Sequence, residues 1–156
     1  MKKRQTVKAS GMVDISAKAV TRRVARATAR ILMGPKAFRA LMTKGSPKGD
    51  VFETARIAGV MAAKSTPGIV PLCHPLELSQ VKIAFEPRES DHAIEITSQV
   101  VCRGRTGVEM EALTAVCAAA LTIYDMMKWA DHAMVIARIQ LLHKSGGKSG
   151  TFNRDR

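Results

Sequence analysis

An alanine-rich stretch near the C-terminal end of the chain carries three charged side chains of a kind and spacing suited to acid–base chemistry. Glu111, Asp125 and Lys128 fall within residues 108–129, whose small and apolar composition predicts the longest helix of the protein. At about 100° per residue, Asp125 lies some 40° and Lys128 some 100° from Glu111, so the three form one polar stripe. Asp125 and Lys128 are spaced to pair with each other or to share a ligand. The same spacing is also that of an ordinary surface ion pair.

The length of this helix limits how its two carboxylates can act. Glu111 and Asp125 are separated by about 21 Å along the axis, at about 1.5 Å of rise per residue. Two groups that far apart on one chain do not reach a single reacting atom. If both are functional, either the ligand is long or two chains build the site between them.

A proline-rich segment, PLCHPL over residues 71–76, holds a second set of candidates. Leu72, Cys73 and His74 stand between two prolines, which hold side chains at fixed angles, and such loops often bind ligands. A metal site is a weaker interpretation because no second Cys/His pair stands at ligand spacing. A Cys73–His74 catalytic dyad is also weak, since adjacent side chains rarely point at one another. A packed loop with a hydrogen-bonded histidine remains the structural alternative.

Three lysines stand where an anion could bind. Lys48 precedes a predicted helix N-terminus, which favours phosphate or carboxylate. Lys144 and Lys148 lie in KSGGKSG, which resembles the end of a phosphate-binding loop. The full P-loop pattern fails, because Leu142 stands where its first glycine belongs and too few residues follow to form its helix. A glycine segment that folds over a phosphorylated ligand and a flexible tail both remain open.

The elements that must position these residues follow from hydrophobic periodicity and turn residues. Asp50, with Glu53 three residues on, predicts an N-cap. We expect one domain over residues 1–156, with 1–10 and 145–156 flexible. The order predicts an α+β ferredoxin-like sandwich, an antiparallel sheet with helices packed on one face. The expected elements are helices over 16–33, 35–41 and 50–64, strands over 81–85 and 93–102, a helix over 108–129, and a strand over 134–142.

Composition narrows the class of protein. The 156 residues are 46% hydrophobic, which argues against wholesale disorder, and we expect neither a membrane span nor a signal peptide. Three widely spaced cysteines predict no disulfide framework and a reducing cytoplasm. The formal net charge is +12, concentrated in the first 50 residues. That charge favours an anionic partner such as phosphate or nucleic acid, or else a solvated basic face.

Six segments in order closely resemble the MoaC family, the cyclic pyranopterin monophosphate synthases of molybdenum cofactor biosynthesis. The resemblance runs from about residue 12 to 151. It is carried by Met12-Val13-Asp14-Ile15-Ser16, KGDVFETARIAG (48–59), PLCHPL (71–76), TGVEMEALTA (106–115), LTIYDMMK (121–128) and LLHKSGGKSG (141–150).

The resemblance implies a ferredoxin-like subunit in a homohexamer, a trimer of dimers with active sites at subunit interfaces. It implies a lyase that converts (8S)-3′,8-cyclo-7,8-dihydroguanosine 5′-triphosphate to cyclic pyranopterin monophosphate with release of diphosphate. It implies no metal and no redox cofactor. Carried over by motif, the catalytic residues are Asp125, Lys128 and Lys48, and the substrate-binding residues are Leu72, Cys73, His74, Met110, Glu111, Lys144 and Lys148.

One position departs from the family pattern. A histidine commonly precedes Met-Val-Asp in the family, where this chain has Gly11.

Two rival classes are a small basic nucleic-acid-binding protein and an oligomerising scaffold. The first is disfavoured because aromatic residues are only 4% of the chain and no RNA-binding motif appears. The second predicts that four residues can be replaced without loss of any activity: Lys48, His74, Asp125 and Lys128.

Overall fold

The computed structural model describes residues 10–154. Expectations for residues 1–9, 155 and 156 lie outside this range. Residues 10–154 form five strands and three helices, with short 3-10 turns at Thr66–Gly68 and Glu89–Asp91. In chain order the elements are β1 (Thr21–Leu32), α1 (Pro35–Thr43), α2 (Val51–Lys64), β2 (Leu78–Arg88), β3 (Ala93–Gly104), α3 (Glu109–Met127), β4 (Val135–Gly147) and β5 (Gly150–Asn153).

The strands form one antiparallel sheet in the order β2-β3-β1-β4-β5. Helices α2 and α3 pack together, and α3 also packs on β1, β3 and β4. The Ser98 hydroxyl of β3 donates to the Ala112 carbonyl of α3 at 2.8 Å. This architecture confirms the predicted α+β ferredoxin-like fold.

The first predicted helix is wrong. Residues 16–33 contain the central strand β1, which pairs with β3 on one side and β4 on the other. Its buried residues Ala25, Ala27, Ala29 and Ile31 repeat every second position, as one face of a strand does. The helical spacing was a coincidence of alanines and arginines, whose helix propensity is overridden by burial between two strands. The element order is therefore β-α-α-β-β-α-β-β.

The remaining elements agree with the predictions, apart from their ends and the C-terminal segment. Asp50 caps α2, and its side chain accepts a hydrogen bond from the Glu53 amide at 2.9 Å. The segment 145–153, expected to be flexible, continues β4 and adds β5. Gly146 has a φ of +98°, and a side chain there would overlap the Arg22 carbonyl of β1. Gly146 therefore allows the end of β4 to approach β1 closely, and the glycines of this segment do not indicate a flexible tail.

Helix α3 is the centre of the core. Nine of its residues are buried, among them Ala112, Ala119 and Met127. By length and composition alone it is apolar enough to cross a membrane, a test that core helices of soluble proteins also pass. In this fold its buried side contacts the sheet and α2, which explains its apolar composition without a membrane.

Candidate active site

An exposed cluster of opposite charges lies at the C-terminal end of α3; we call it the Asp125 cluster. Oδ2 of Asp125 is 2.6 Å from Nζ of Lys48, and Oδ1 is 2.8 Å from Nζ of Lys128. Lys128 follows the last residue of α3, and Lys48 lies in the turn before α2. That turn is tied to α3 by the Ser46 hydroxyl, which donates to the Met126 carbonyl at 2.7 Å. The structure thus joins the three predicted catalytic residues.

The two lysines define the charge state of the cluster. Hydrogen bonds from Lys128 and then Lys48 lower the pKa of Asp125 from 3.8 to about 2. In return, its carboxylate raises the pKa of Lys128. Near neutral pH the cluster therefore holds one carboxylate between two ammonium groups. About half of each side chain is exposed, so a ligand can reach all three.

A cavity of about 580 Å³ lies at the other end of α3; we call it the histidine cavity. The predicted substrate-binding residues Leu72, Cys73, His74, Met110 and Glu111 all line it. The fold therefore brings the proline-rich loop against the first turn of α3.

His74 and Glu111 differ in their surroundings within this cavity. Nε2 of His74 lies 2.8 Å from the Val13 carbonyl. Because a carbonyl only accepts, Nε2 is the donor. In the tautomer with its proton on Nε2, Nδ1 can accept a hydrogen bond from a ligand. Glu111 is only 3% exposed, and burial raises its pKa, with a smaller contribution from the charge of Glu109. Desolvation, followed by the charge of Glu111, raises the pKa of the Cys73 thiol, so it stays protonated near neutral pH.

A second cavity, of about 420 Å³, adjoins the first and is lined by cations; we call it the cationic cavity. The two share a wall that includes Lys18, Gly107 and Glu109. The predicted Lys144 and Lys148 line the cationic cavity, together with Arg23 and Arg105. Nζ of Lys144 is 3.1 Å from Oε1 of Glu109.

Arg23 is a site residue that the sequence analysis missed. It is only 9% exposed, and its guanidinium donates to the carbonyls of Gly104 and Arg105, both at 3.2 Å. Within residues 10–154 no carboxylate pairs with it, so its buried charge is offset only by carbonyl dipoles. A period-two interpretation of residues 21–32 would have put Arg23 on the same buried face as Ala25 and Ala27, whereas its position near Gly104 depends on the register between β1 and β3.

The structure does not join the Asp125 cluster to the two cavities. They lie at opposite ends of α3, as the spacing of Glu111 and Asp125 predicts, about 21 Å along the axis. Among residues 10–154 no group of three or more His, Cys, Asp or Glu side chains could hold a metal ion. The candidate site of one chain is therefore in two parts, with acid–base residues at one end and cations with a buried carboxyl group at the other.

The chain is similar to one protein family and to several named relatives. The MoaC family model matches residues 12–147. A cyclic pyranopterin monophosphate synthase of Magnetococcus marinus is 55% identical over 147 residues, 94% of this chain and 90% of the relative. Synthases of the same name from Methylobacterium sp. and Streptomyces griseus are each 53% identical to this chain over 94% of its length. The match covers 92% of the Methylobacterium protein and 81% of the Streptomyces protein. Because the family model covers residues 12–147 and these relatives are more than half identical over nearly the whole chain, this chain belongs to the MoaC family.

Proposed function

We propose that this protein is a cyclic pyranopterin monophosphate synthase of molybdenum cofactor biosynthesis. It would convert (8S)-3′,8-cyclo-7,8-dihydroguanosine 5′-triphosphate to cyclic pyranopterin monophosphate and release diphosphate, which makes it a lyase. The observation that carries this proposal is Asp125 held between Lys48 and Lys128, on a chain 55% identical to a protein of that name. A reducing cytoplasm suits its three free cysteines.

The Asp125 cluster has the groups that a ring rearrangement needs. Opening an imidazole-derived ring and rebuilding it as a pterin requires several proton transfers. Asp125, ionised near neutral pH, would accept a proton, and Lys128 would donate one or stabilise negative charge. Lys48 approaches the same carboxylate from another element, so it can contact a substrate that lies over the cluster.

The two cavities suit the rest of the substrate. Closing a cyclic phosphate expels diphosphate, whose developing negative charge needs neutralising. Lys144, Lys148 and Arg23 line one cavity and supply that positive charge. His74 and the buried Glu111 line the neighbouring cavity and offer an acceptor and a carboxyl group to the pterin and ribose portion.

A second copy of the chain would join the two parts. Residue 118 is midway between Glu111 and Asp125, so an antiparallel pairing of two α3 helices about a two-fold axis near Ala118 places each cluster beside the partner's cavities. The outer surface of the helices is apolar enough for such a contact. Leu121 of α3 and Ile57 and Met61 of α2 are 61%, 53% and 62% exposed. We therefore propose that the sites lie at an interface between two chains. The homohexamer built as a trimer of dimers is what the resemblance to the family implies.

The function is tested by diphosphate release from the purified protein given the cyclised GTP derivative. Asp125→Asn should lower kcat by roughly 10²–10⁴-fold, as expected for a lost acid–base group. The matched control is Glu53→Gln, which removes an exposed helical carboxylate that is also paired with a cation three residues on, Arg56. Failure of well-folded wild type to release diphosphate, or an Asp125→Asn enzyme as active as the control, would rule the proposal out.

A further inference from the structure

Glu109 is a carboxylate placed among cations. It is the first residue of α3, and it lines both the histidine cavity and the cationic cavity. Among the residues that line the cationic cavity it is the only acid. The ion pair with Lys144, at 3.1 Å, is half-buried, with side-chain exposures of 27% for Glu109 and 33% for Lys144. One of the cations that line this cavity is thus already neutralised from within the chain.

The position of the Glu109 carboxylate depends on Gly107. A Cβ at residue 107 would overlap the carboxylate of Glu109, which therefore packs directly on the glycine backbone. The atoms that such a Cβ meets all belong to the end of the Glu109 side chain, which is flexible. The φ of Gly107 is not positive, so an alanine there strains no backbone.

Nothing else described for the chain holds the carboxylate in place. Within residues 10–154 Lys144 is its one hydrogen-bonding or ionic partner, and the N-terminus of α3 has no side-chain cap. The negative charge of Glu109 also acts on Glu111, whose pKa it helps to raise. Moving Glu109 away would therefore free Lys144 and relieve a repulsion within the histidine cavity.

We propose that Glu109 is an internal counter-ion that occupies an anion-binding position in the cationic cavity, and that a linear polyphosphate displaces its carboxylate from Lys144. This inference rests on the proposed function, since it assigns the cavity to the phosphate chain of the substrate. The exchange breaks one ion pair and forms another. It therefore weakens the binding of any anion too short to reach the remaining cations, and favours a chain of two or three phosphates over a single phosphate.

The test measures the binding of inorganic tripolyphosphate, diphosphate and phosphate to the full-length protein by calorimetry. Glu109→Gln removes the competing charge and should tighten tripolyphosphate binding on the order of tenfold, while Lys144→Gln weakens it. Glu86→Gln is the matched control, because it removes one carboxylate ion-paired to Arg88, outside the residues that line either cavity. The tripolyphosphate affinity of the control should stay within about twofold of that of wild type. This result would show that the change in net charge alone does not account for tighter binding by Glu109→Gln.

Gly107→Ala provides an independent perturbation. Its Cβ would push the carboxylate aside without removing any charge, so tripolyphosphate should again bind more tightly than to wild type. If Glu109→Gln does not fold, this variant decides the question. A folded Glu109→Gln protein that binds tripolyphosphate no more tightly than wild type overturns the inference.

Steady-state kinetics separate the inference from the proposed function. If Glu109 is a counter-ion, Glu109→Gln should have a lower KM. If Glu109 instead transfers a proton, Glu109→Gln should lose most of its kcat with unchanged tripolyphosphate affinity. That second result also overturns the inference. If the wild type releases no diphosphate while Glu109→Gln still tightens tripolyphosphate binding, the function fails and the counter-ion stands. If the wild type is active and no variant changes tripolyphosphate affinity, the function stands and the counter-ion fails.

Discussion

Nζ of Lys48 lies 2.6 Å from Oδ2 of Asp125, although the two residues are 77 positions apart in the chain. One belongs to a turn before α2 and the other to the last turns of α3, so the contact exists only because that turn is tied to α3. The contact converts an ordinary helical ion pair, Asp125 with Lys128, into a carboxylate held between two cations. That arrangement is what makes the cluster a candidate for proton transfer.

Removing either lysine should raise the pKa of Asp125 from about 2 towards its ordinary 3.8. Lys128→Gln should raise it more than Lys48→Gln, because the hydrogen bond from Lys128 is the larger cause. Carbon-13 NMR titration of the Asp125 carboxyl measures both shifts. The control is Lys64→Gln in the last turn of α2. An Asp125 pKa that does not respond to Lys48→Gln would mean that this ion pair is absent in solution.

Acid should remove the contribution of Asp125 to stability. Its pKa is lower in the folded state than its ordinary 3.8, so folding favours the ionised form. The stabilisation is present above about pH 4 and is lost as pH falls through about 2. The Tm difference between wild type and Asp125→Asn should therefore shrink between pH 5 and pH 2. If the Tm difference instead widens as pH falls from 5 to 2, the pKa of Asp125 is raised in the folded protein and the argument is wrong.

Two inactive variants should complement each other if the site spans two chains. Asp125→Asn disables one part and His74→Ala the other, so half of the sites in a mixed dimer regain two intact parts. Refolding equal amounts together should restore about a quarter of wild-type activity by random pairing through a two-fold interface. Asp125→Asn mixed with Lys128→Gln should stay inactive, because both changes lie in the same part. Equal recovery in both mixtures, or none in either, would contradict interfacial sites.

Glu111→Gln should make the protein more stable and less active. Burial raises the pKa of Glu111 in the folded state, so its ionised form is penalised there; the penalty begins as pH rises above the ordinary pKa of 4.5 and is complete once pH exceeds the raised pKa. The isosteric amide removes that penalty, and Tm at pH 7 should rise by about 2–4 °C, or about 1 kcal/mol. Diphosphate release should fall by roughly 10²-fold. The exposed Glu53→Gln is the control, and a lower Tm for Glu111→Gln at pH 7 would contradict the argument.

The sequence alone determined the fold class and the family, and it predicted most residues of the candidate site. Local signals were enough where only neighbouring residues matter: Asp50 caps α2, and the alanines of α3 predict a long buried helix. The spacing of Glu111 and Asp125 along one helix keeps the two carboxylates of one chain from a single reacting atom. The sequence did not determine β1, since Ala25, Ala27 and Ile31 suit a helix until two neighbouring strands cover them. Tertiary structure alone decided that Lys48 reaches Asp125, that Arg23 enters the cationic cavity and that Glu109 faces Lys144. Each of these contacts joins elements distant in the chain, and periodicity carries no information about which distant elements meet.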